Sequence, residues 1–152
     1  MNIEIINYEE KFAPDFKRLN LEWLDKYHLT ESHDLEILDD PRGFILDNEG
    51  VIYLARADRE IVGAAALMKK EEGVYELVKM AVTAAWQGRG ISRMLLDKCL
   101  GTARVWKVKK ITLFSNSQLQ TAIKLYEKYG FRYVKVEDSP FASADISMEL
   151  IL

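Results

Sequence analysis

VYELVKMAVTAAWQGRGISRMLLDKCLGTARVW, residues 74 to 106, decides the fold. Its first nine residues, Val74 to Val82, are dense in β-branched, aromatic and aliphatic side chains, too short for a typical helix and apolar enough for a strand inside a sheet. From Ile91 the period changes. Ile91, Met94, Leu95, Cys99 and Ala103 recur at helical spacing, with Arg93, Asp97, Lys98 and Arg104 between them. A strand therefore gives way to a helix across Gln87-Gly88-Arg89-Gly90. Glycines let the backbone turn sharply there and let a ligand approach without a Cβ in the way. The first amides of the helix lack internal partners and carry the positive end of its dipole, which makes them a seat for phosphate. The same glycines could do no more than turn the chain, and their spacing alone does not choose between the two readings.

Two phosphate motifs fail on this stretch. A P-loop requires Gly-x-x-x-x-Gly-Lys-Ser/Thr, and no such string occurs. A dinucleotide fingerprint requires Gly-x-Gly-x-x-Gly, but Arg93 stands three residues after Gly90, and no acidic residue ends the next predicted strand. The spacing Gln87-x-x-Gly90-x-Ser92 after an apolar strand instead resembles the coenzyme A signature of the GNAT superfamily of N-acetyltransferases. Glu76-Leu77 with Met80-Ala81-Val82 is similar to that family's acyl-binding strand. Ala122-Ile123-Lys124-Leu125-Tyr126-Glu127-Lys128-Tyr129-Gly130-Phe131 resembles its second hallmark helix. The motifs span residues 51 to 150 in the family's order, with two departures: Ser92 where Gly or Ala is usual, and Leu119 where many relatives carry Asn.

The resemblance implies an α+β GNAT fold, a mixed central sheet of about six to seven strands flanked by about four helices. It implies an N-acetyltransferase that moves acetyl from acetyl-CoA to a primary amine by direct transfer in a ternary complex. Acetyl-CoA is then a cosubstrate, and no metal is needed. Gln87, Gly88, Arg89, Gly90, Ile91 and Ser92 would hold the diphosphate, with Asn116 as a further contact. Amides of Met80, Ala81 and Val82, freed by a bulge, would receive the acyl carbonyl and the pantetheine arm. Glu76 would be the base and Tyr126 the acid. The first two helices would cover the acceptor pocket, where Trp23 and Tyr27 share a helix face and Glu31 and Asp34 could hold a cationic amine. Asn20 and Glu22 belong to the same cluster.

Each role has a plainer alternative. A carboxylate in an apolar strand must be exposed, paired or functional, so Glu76 could lie at the strand's wet end or pair with Lys79. An aromatic residue on an amphipathic helix is usually core, which covers Tyr126, Trp23 and Tyr27, and Glu31 and Asp34 could simply be solvated. Two other functions also fit: a non-catalytic acyl-CoA-binding or sensing module, and an acetyltransferase acting on the lysine or N-terminal amine of a protein. A homodimer is common in the resembling family.

At 152 residues and 49% hydrophobic content, the chain suits one domain, residues 1 to 152, with one substantial core. MNIEIINYEEK lacks the basic start and apolar run of a signal peptide, and no eighteen consecutive apolar residues occur. A cytoplasmic protein with no membrane partner is expected. The single cysteine excludes an internal disulfide, and Cys99 lies on the apolar side of its helix, as a core residue would. His28 and His33, the only histidines, fit no common zinc spacing. The net charge of -3 is divided unevenly. Residues 1 to 60 hold 7 Lys and Arg against 15 Asp and Glu, and the remainder holds 14 against 9. An acidic chain without a basic patch interleaved with aromatics is a poor nucleic-acid partner. The asymmetry suits either ordinary solvated surface or a basic half for coenzyme phosphates and an acidic half that steers a cationic acceptor.

Elsewhere the pattern predicts a strand at Ile3 to Ile6, a helix over 11–27 and a short second helix through Leu38. A loop with one helical turn is expected over 39–50. Val51 to Ala57 and Ile61 to Met68 read as a hairpin, and Gly73 closes a second hairpin onto the central strand. Lys110 to Ser115 is the next strand, parallel to the central one because a helix crosses between them. Arg104, Lys107, Lys109 and Lys110 suit the helix end electrostatically, with contact to a coenzyme phosphate as the alternative. Leu119 to Tyr129 is a helix ended by Gly130. Phe131 to Val136 and Ser143 to Leu150 are a final pair of strands joined by a loop over 137–141.

Overall fold

The computed structural model describes residues 2–137 and 139–152; Met1, and Asp138 of the expected loop over 137–141, lie outside the described residues. Strand β1 (Ile3–Asn7) leads through a single turn of tight helix into α1 (Ala13–Lys26). Pro14 sits in the first turn of α1, where the N–H it lacks would have no helical partner. His28, with φ 57°, turns the chain out of α1. Helix α2 (Ser32–Asp39) opens on a capping box in which the Glu31 and Asp34 side chains each accept from the other residue's backbone N–H. The expected loop over 39–50 holds α3 (Pro41–Phe44) and a short turn of tight helix at Leu46–Asn48.

The sheet strands follow the hairpins read from the sequence: β2 (Val51–Ala57), β3 (Glu60–Glu71) and β4 (Val74–Val82). Asp58 and Gly73, both at positive φ, make the two hairpin turns. Helix α4 (Ile91–Val105) crosses to β5 (Lys110–Ser115), and α5 (Gln120–Lys128) leads to β6 (Arg132–Val134) and β7 (Ile146–Ile151). Among the described residues these seven strands form one mixed sheet in the order β1-β2-β3-β4-β5-β7-β6. The β4–β5 pair is parallel, as a crossover helix requires. The last two strands are shorter than the sequence suggests. Ser143 and its neighbours bond to α2 and to the β5–α5 turn instead of to β6.

Two cores sandwich the sheet. On one face α4 and α5 bury Leu95, Leu96, Cys99 and Tyr126 against Leu67, Ile111 and Met148. On the other α1 and α2 bury Phe16, Leu19 and Ile37 against Ile52, Leu54 and Ala64. Gly63 lets α4 sit close on β3, since a Cβ there would lie 3.1 Å from both Ile91 Cγ2 and Leu95 Cδ1. Helix α4 is thus seated at its N-terminal end, next to the glycine turn. Leu95 is fully buried at this contact. Leu95→Ala should lower unfolding free energy by about 2–5 kcal/mol in urea denaturation. A loss under about 0.5 kcal/mol would mean that this interface does not hold the helix.

Candidate active site

The central strand loses its partner part-way along. β4 pairs with β5 only at Val74, Tyr75 and Glu76, and beyond Glu76 the two strands part. The other edge of β4 is irregular as well. Ala66 of β3 faces Val78 and Ala64 faces Ala81, so β4 carries one residue more than β3 over this interval. Lys79 is at φ 55°, a left-handed conformation that costs a non-glycine residue about 1–2 kcal/mol. This is a β-bulge, and it sets the facing of the strand. Val78 packs into the α1–α2 core and Lys79 reaches Asp34 of α2, so two successive side chains point the same way.

A cleft of about 650 Å³ opens where the strands part. One end is the glycine turn. Gly88 and Gly90 adopt φ 78° and 79°, and a Cβ on either would meet nothing within 4 Å, so the backbone there is bare. Gly90 caps α4, leaving the first amides of the helix at the cleft with Gln87, Ile91 and Ser92. Gln87 Nε2 donates to Val82 O at 3.1 Å, tying the turn to the end of β4. Glu22 of α1 ties the same junction from the other side, accepting from Thr83 Oγ1 at 2.8 Å and Ala84 N at 2.9 Å. Arg89 does not itself line the cleft; its guanidinium lies over the indole of Trp86, which does, 4.7 Å from the ring centre. Met80, Ala81 and Val82 line the middle of the cleft, with Tyr126 of α5 also on its wall. Tyr126 is 8% exposed, and burial beside Cys99 pushes its phenol well above the ordinary value. Cys99 itself is enclosed in the core, its thiol pushed up to about 12 by burial, so it is no nucleophile.

Glu76 lies across from Met68, on the α1–α2 face, and is 2% exposed. Neither plain alternative for it holds. The strand end there is dry, and Lys79 pairs with Asp34 instead. Lys70 Nζ forms an ion pair with Glu76 Oε1 at 3.2 Å, and Oε1 has no further hydrogen-bond partner among the described residues. Lys70 is 40% exposed on its side chain, so water screens the attraction. Burial wins: the Glu76 carboxyl is raised above its usual range, with Lys70, Lys79 and His33 only partly opposing.

At the far end, Trp23 of α1 and Tyr27, the residue that caps it, line the cleft with Asp34, Phe114 and Phe141. The two carboxylates expected to hold an amine are otherwise engaged. Asp34 is buried in an ion pair with Lys79, and its second oxygen accepts from Glu31 N at 2.9 Å. Glu31 does not line the cleft. It accepts from Ala142 N at 2.9 Å, Ser143 N at 3.0 Å and the Ser143 hydroxyl. Those bonds outweigh burial and hold the Glu31 carboxyl below its usual range. Asn116 lines the cleft but is likewise committed, donating to Ser143 O at 2.7 Å and accepting from Gln118 N at 2.9 Å. Asn20 is buried, its amide donating to Phe16 O at 3.0 Å. Lys79, Phe141 and Ser143 are site residues that sequence reasoning did not single out. The one signal for Phe141 was an aromatic in an otherwise polar loop. Among the described residues no group of three or more His, Cys, Asp or Glu could hold a metal, and no helix is long and apolar enough to cross a membrane.

Comparison with known proteins accords with this geometry. A model of the acetyltransferase (GNAT) family matches residues 13–131, and the chain belongs to that family. It is 33% identical over 105 residues to an uncharacterized N-acetyltransferase of Mycobacterium tuberculosis, a match covering 69% of this chain and 63% of that protein. It is also 33% identical over 87 residues to human N-acetylaspartate synthetase, covering 57% of this chain and 29% of that one. The chain thus spans under two thirds of the mycobacterial relative's length and under one third of the human one's. Among solved structures, a GNAT-family acetyltransferase of Staphylococcus aureus superposes with a TM-score of 0.88 at 23% identity, over 97% of this chain and 98% of that one. The Paia N-acetyltransferase of Thermoplasma acidophilum, crystallised with coenzyme A, superposes with a TM-score of 0.79 at 16% identity over the whole of both chains. These two likenesses establish the fold.

A carboxyl whose folded pKa lies above its unfolded one favours the folded state below pH 4.5, and that contribution is lost as pH rises through the folded value. Glu76→Gln should therefore be more stable than the wild type at pH 7 to 8 in thermal melts. The gap should close as pH falls towards 4.5. A gap independent of pH, or a less stable variant at pH 8, would show that Glu76 is not held charged against its burial.

Proposed function

We propose that this chain is an acyl-CoA-dependent N-acetyltransferase that carries acetyl from acetyl-CoA to the primary amine of a small acceptor by direct transfer. The observation that carries the reading is a buried carboxylate, Glu76, whose Oε1 has no hydrogen-bond partner among the described residues and whose ion-pair partner Lys70 is part-exposed, beside a strand parted from its neighbour and ending in a bare glycine turn. The helix-start amides from Gly88 to Ser92 suit the diphosphate of the coenzyme. The unpaired edge of β4 at Met80, Ala81 and Val82 suits the pantetheine arm and the acyl carbonyl. The crystallised coenzyme A complex of the Thermoplasma relative supports that choice of cosubstrate.

The acceptor nitrogen attacks only when neutral. A lysine-like amine is neutral in about one molecule in 10³ at pH 7, which costs roughly 4 kcal/mol. Glu76 takes that proton, directly or through one water, and its raised pKa makes it a stronger base than an exposed carboxylate. As the C–N bond forms, negative charge moves to the acyl oxygen, where the main-chain N–H groups of β4 receive it. The C–S bond then breaks. Tyr126, a phenol protonated at neutral pH and more firmly so for its burial, donates a hydrogen bond to the leaving thiolate and then its proton, and the phenolate regains a proton as the new amide nitrogen loses its own. Cys99, buried in the core, forms no acyl intermediate. The walls of Trp23, Tyr27, Phe114 and Phe141 favour a small amine over an extended peptide. The human relative is named for a small acetylated amine, N-acetylaspartate, which supports the same choice.

A screen of amines with acetyl-CoA, followed by released thiol, should find turnover with at least one small primary amine. Binding of acetyl-CoA with no thiol release from any amine would instead favour a sensing module. With the amine so found, Tyr126→Phe should lower kcat by about 10²-fold or more, with acetyl-CoA affinity little changed. Unchanged turnover would remove Tyr126 from the acid role.

A further inference from the structure

Resting on the acyl-transfer reading above, the structure points to a positioning role for Lys79, and we infer that its buried pair with Asp34 fixes the bulge of β4 and thereby aims the main-chain N–H groups that receive the acyl carbonyl. The bulge is not held by the sheet. On its β5 side β4 has no strand beyond Glu76, and on its β3 side the register slips over the same residues. The backbone at Lys79 is left-handed, a conformation that this residue type does not choose for itself.

What holds it is the side chain. Lys79 Nζ pairs with Asp34, the two side chains being 6% and 5% exposed, and it lies 5.0 Å from the centre of the Phe141 ring. Both partners are fixed from elsewhere. Asp34 is locked at the start of α2 by the capping box with Glu31. The loop bearing Phe141 is pinned by the bonds from Ala142 and Ser143 to Glu31 and from Asn116 to Ser143. Lys79 is therefore the peg by which α2 and the 139–145 loop, on the acceptor side, set the backbone of the strand on the acyl side.

The glycine turn stands apart from this tether, held by Gln87 and Glu22. Disturbing the tether should thus weaken the hold on the acyl group and leave the hold on the diphosphate. That separates a positioning role from a merely structural one. The test compares the Kd values of acetyl-CoA and of coenzyme A by calorimetry, which needs no acceptor. The doubly neutral variant Lys79→Met with Asp34→Asn avoids stranding one buried charge. It should bind acetyl-CoA about three- to tenfold more weakly, as expected for one impaired hydrogen bond, while coenzyme A stays within about twofold. Lys79→Arg, which keeps the charge, should stay near the wild type for both ligands. If the two ligands weaken together, or neither changes, the inference is overturned while coenzyme binding stands. A wild type that binds neither ligand overturns the acyl-transfer reading itself.

Discussion

A main-chain N–H or C=O that has lost its strand partner must find another, in water or in a ligand. β4 is built around that constraint. It is paired on both sides at Val74 to Glu76 and then leaves β5, while the bulge at Lys79 disturbs its other ladder. The rest of the chain makes such a strand tolerable. Two cores clamp the sheet from opposite faces, Gly63 seats α4 tightly on β3, and the turn that follows β4 is tied at Gln87 and Glu22. The rigid surround keeps unpaired backbone from collapsing onto the nearest strand, and the parted strands leave a cleft.

The electrostatics of that cleft follow from how each charge is partnered. Asp34 and Lys79 cancel one another in a dry place, and Glu31 is consumed by its capping-box bond, the amides of Ala142 and Ser143 and the Ser143 hydroxyl. Glu76 keeps a carboxylate oxygen without a hydrogen bond among the described residues, in an ion pair with a lysine that water screens. In the proposed reaction it is therefore the group placed to take a proton from an incoming amine. Burial raises its pKa and also removes competing partners, so one physical cause serves both the thermodynamics and the chemistry.

Much of this was legible in the sequence, because it rests on local pattern. The switch of period at Ile91, the glycines of the turn and the hairpins at Asp58 and Gly73 placed β2 to α5 within a residue or two, save for the longer β3. The resemblance of two motifs gave the family. What stayed hidden depends on residues far apart in the chain. Lys79 and Asp34 are 45 positions apart, and Glu31 meets Ala142 across 111. Nothing near Glu31 indicates that its carboxylate turns to a loop and away from a substrate. The same holds for Asn116, whose amide closes that loop from the other side. The shortened final strands have the same origin, since Ser143 bonds to these groups before β7 begins.

The central claim is that the unpaired edge of β4 and the bare turn after it together seat an acyl-CoA. A crystal structure of the protein with acetyl-CoA tests it most directly. The account predicts the diphosphate on the main-chain N–H groups of Gly88 to Ser92 and the acetyl oxygen on β4 between Met80 and Val82, within reach of Glu76 and Tyr126. Coenzyme bound at another face of the sheet, or an acyl group pointing away from Glu76, would contradict it.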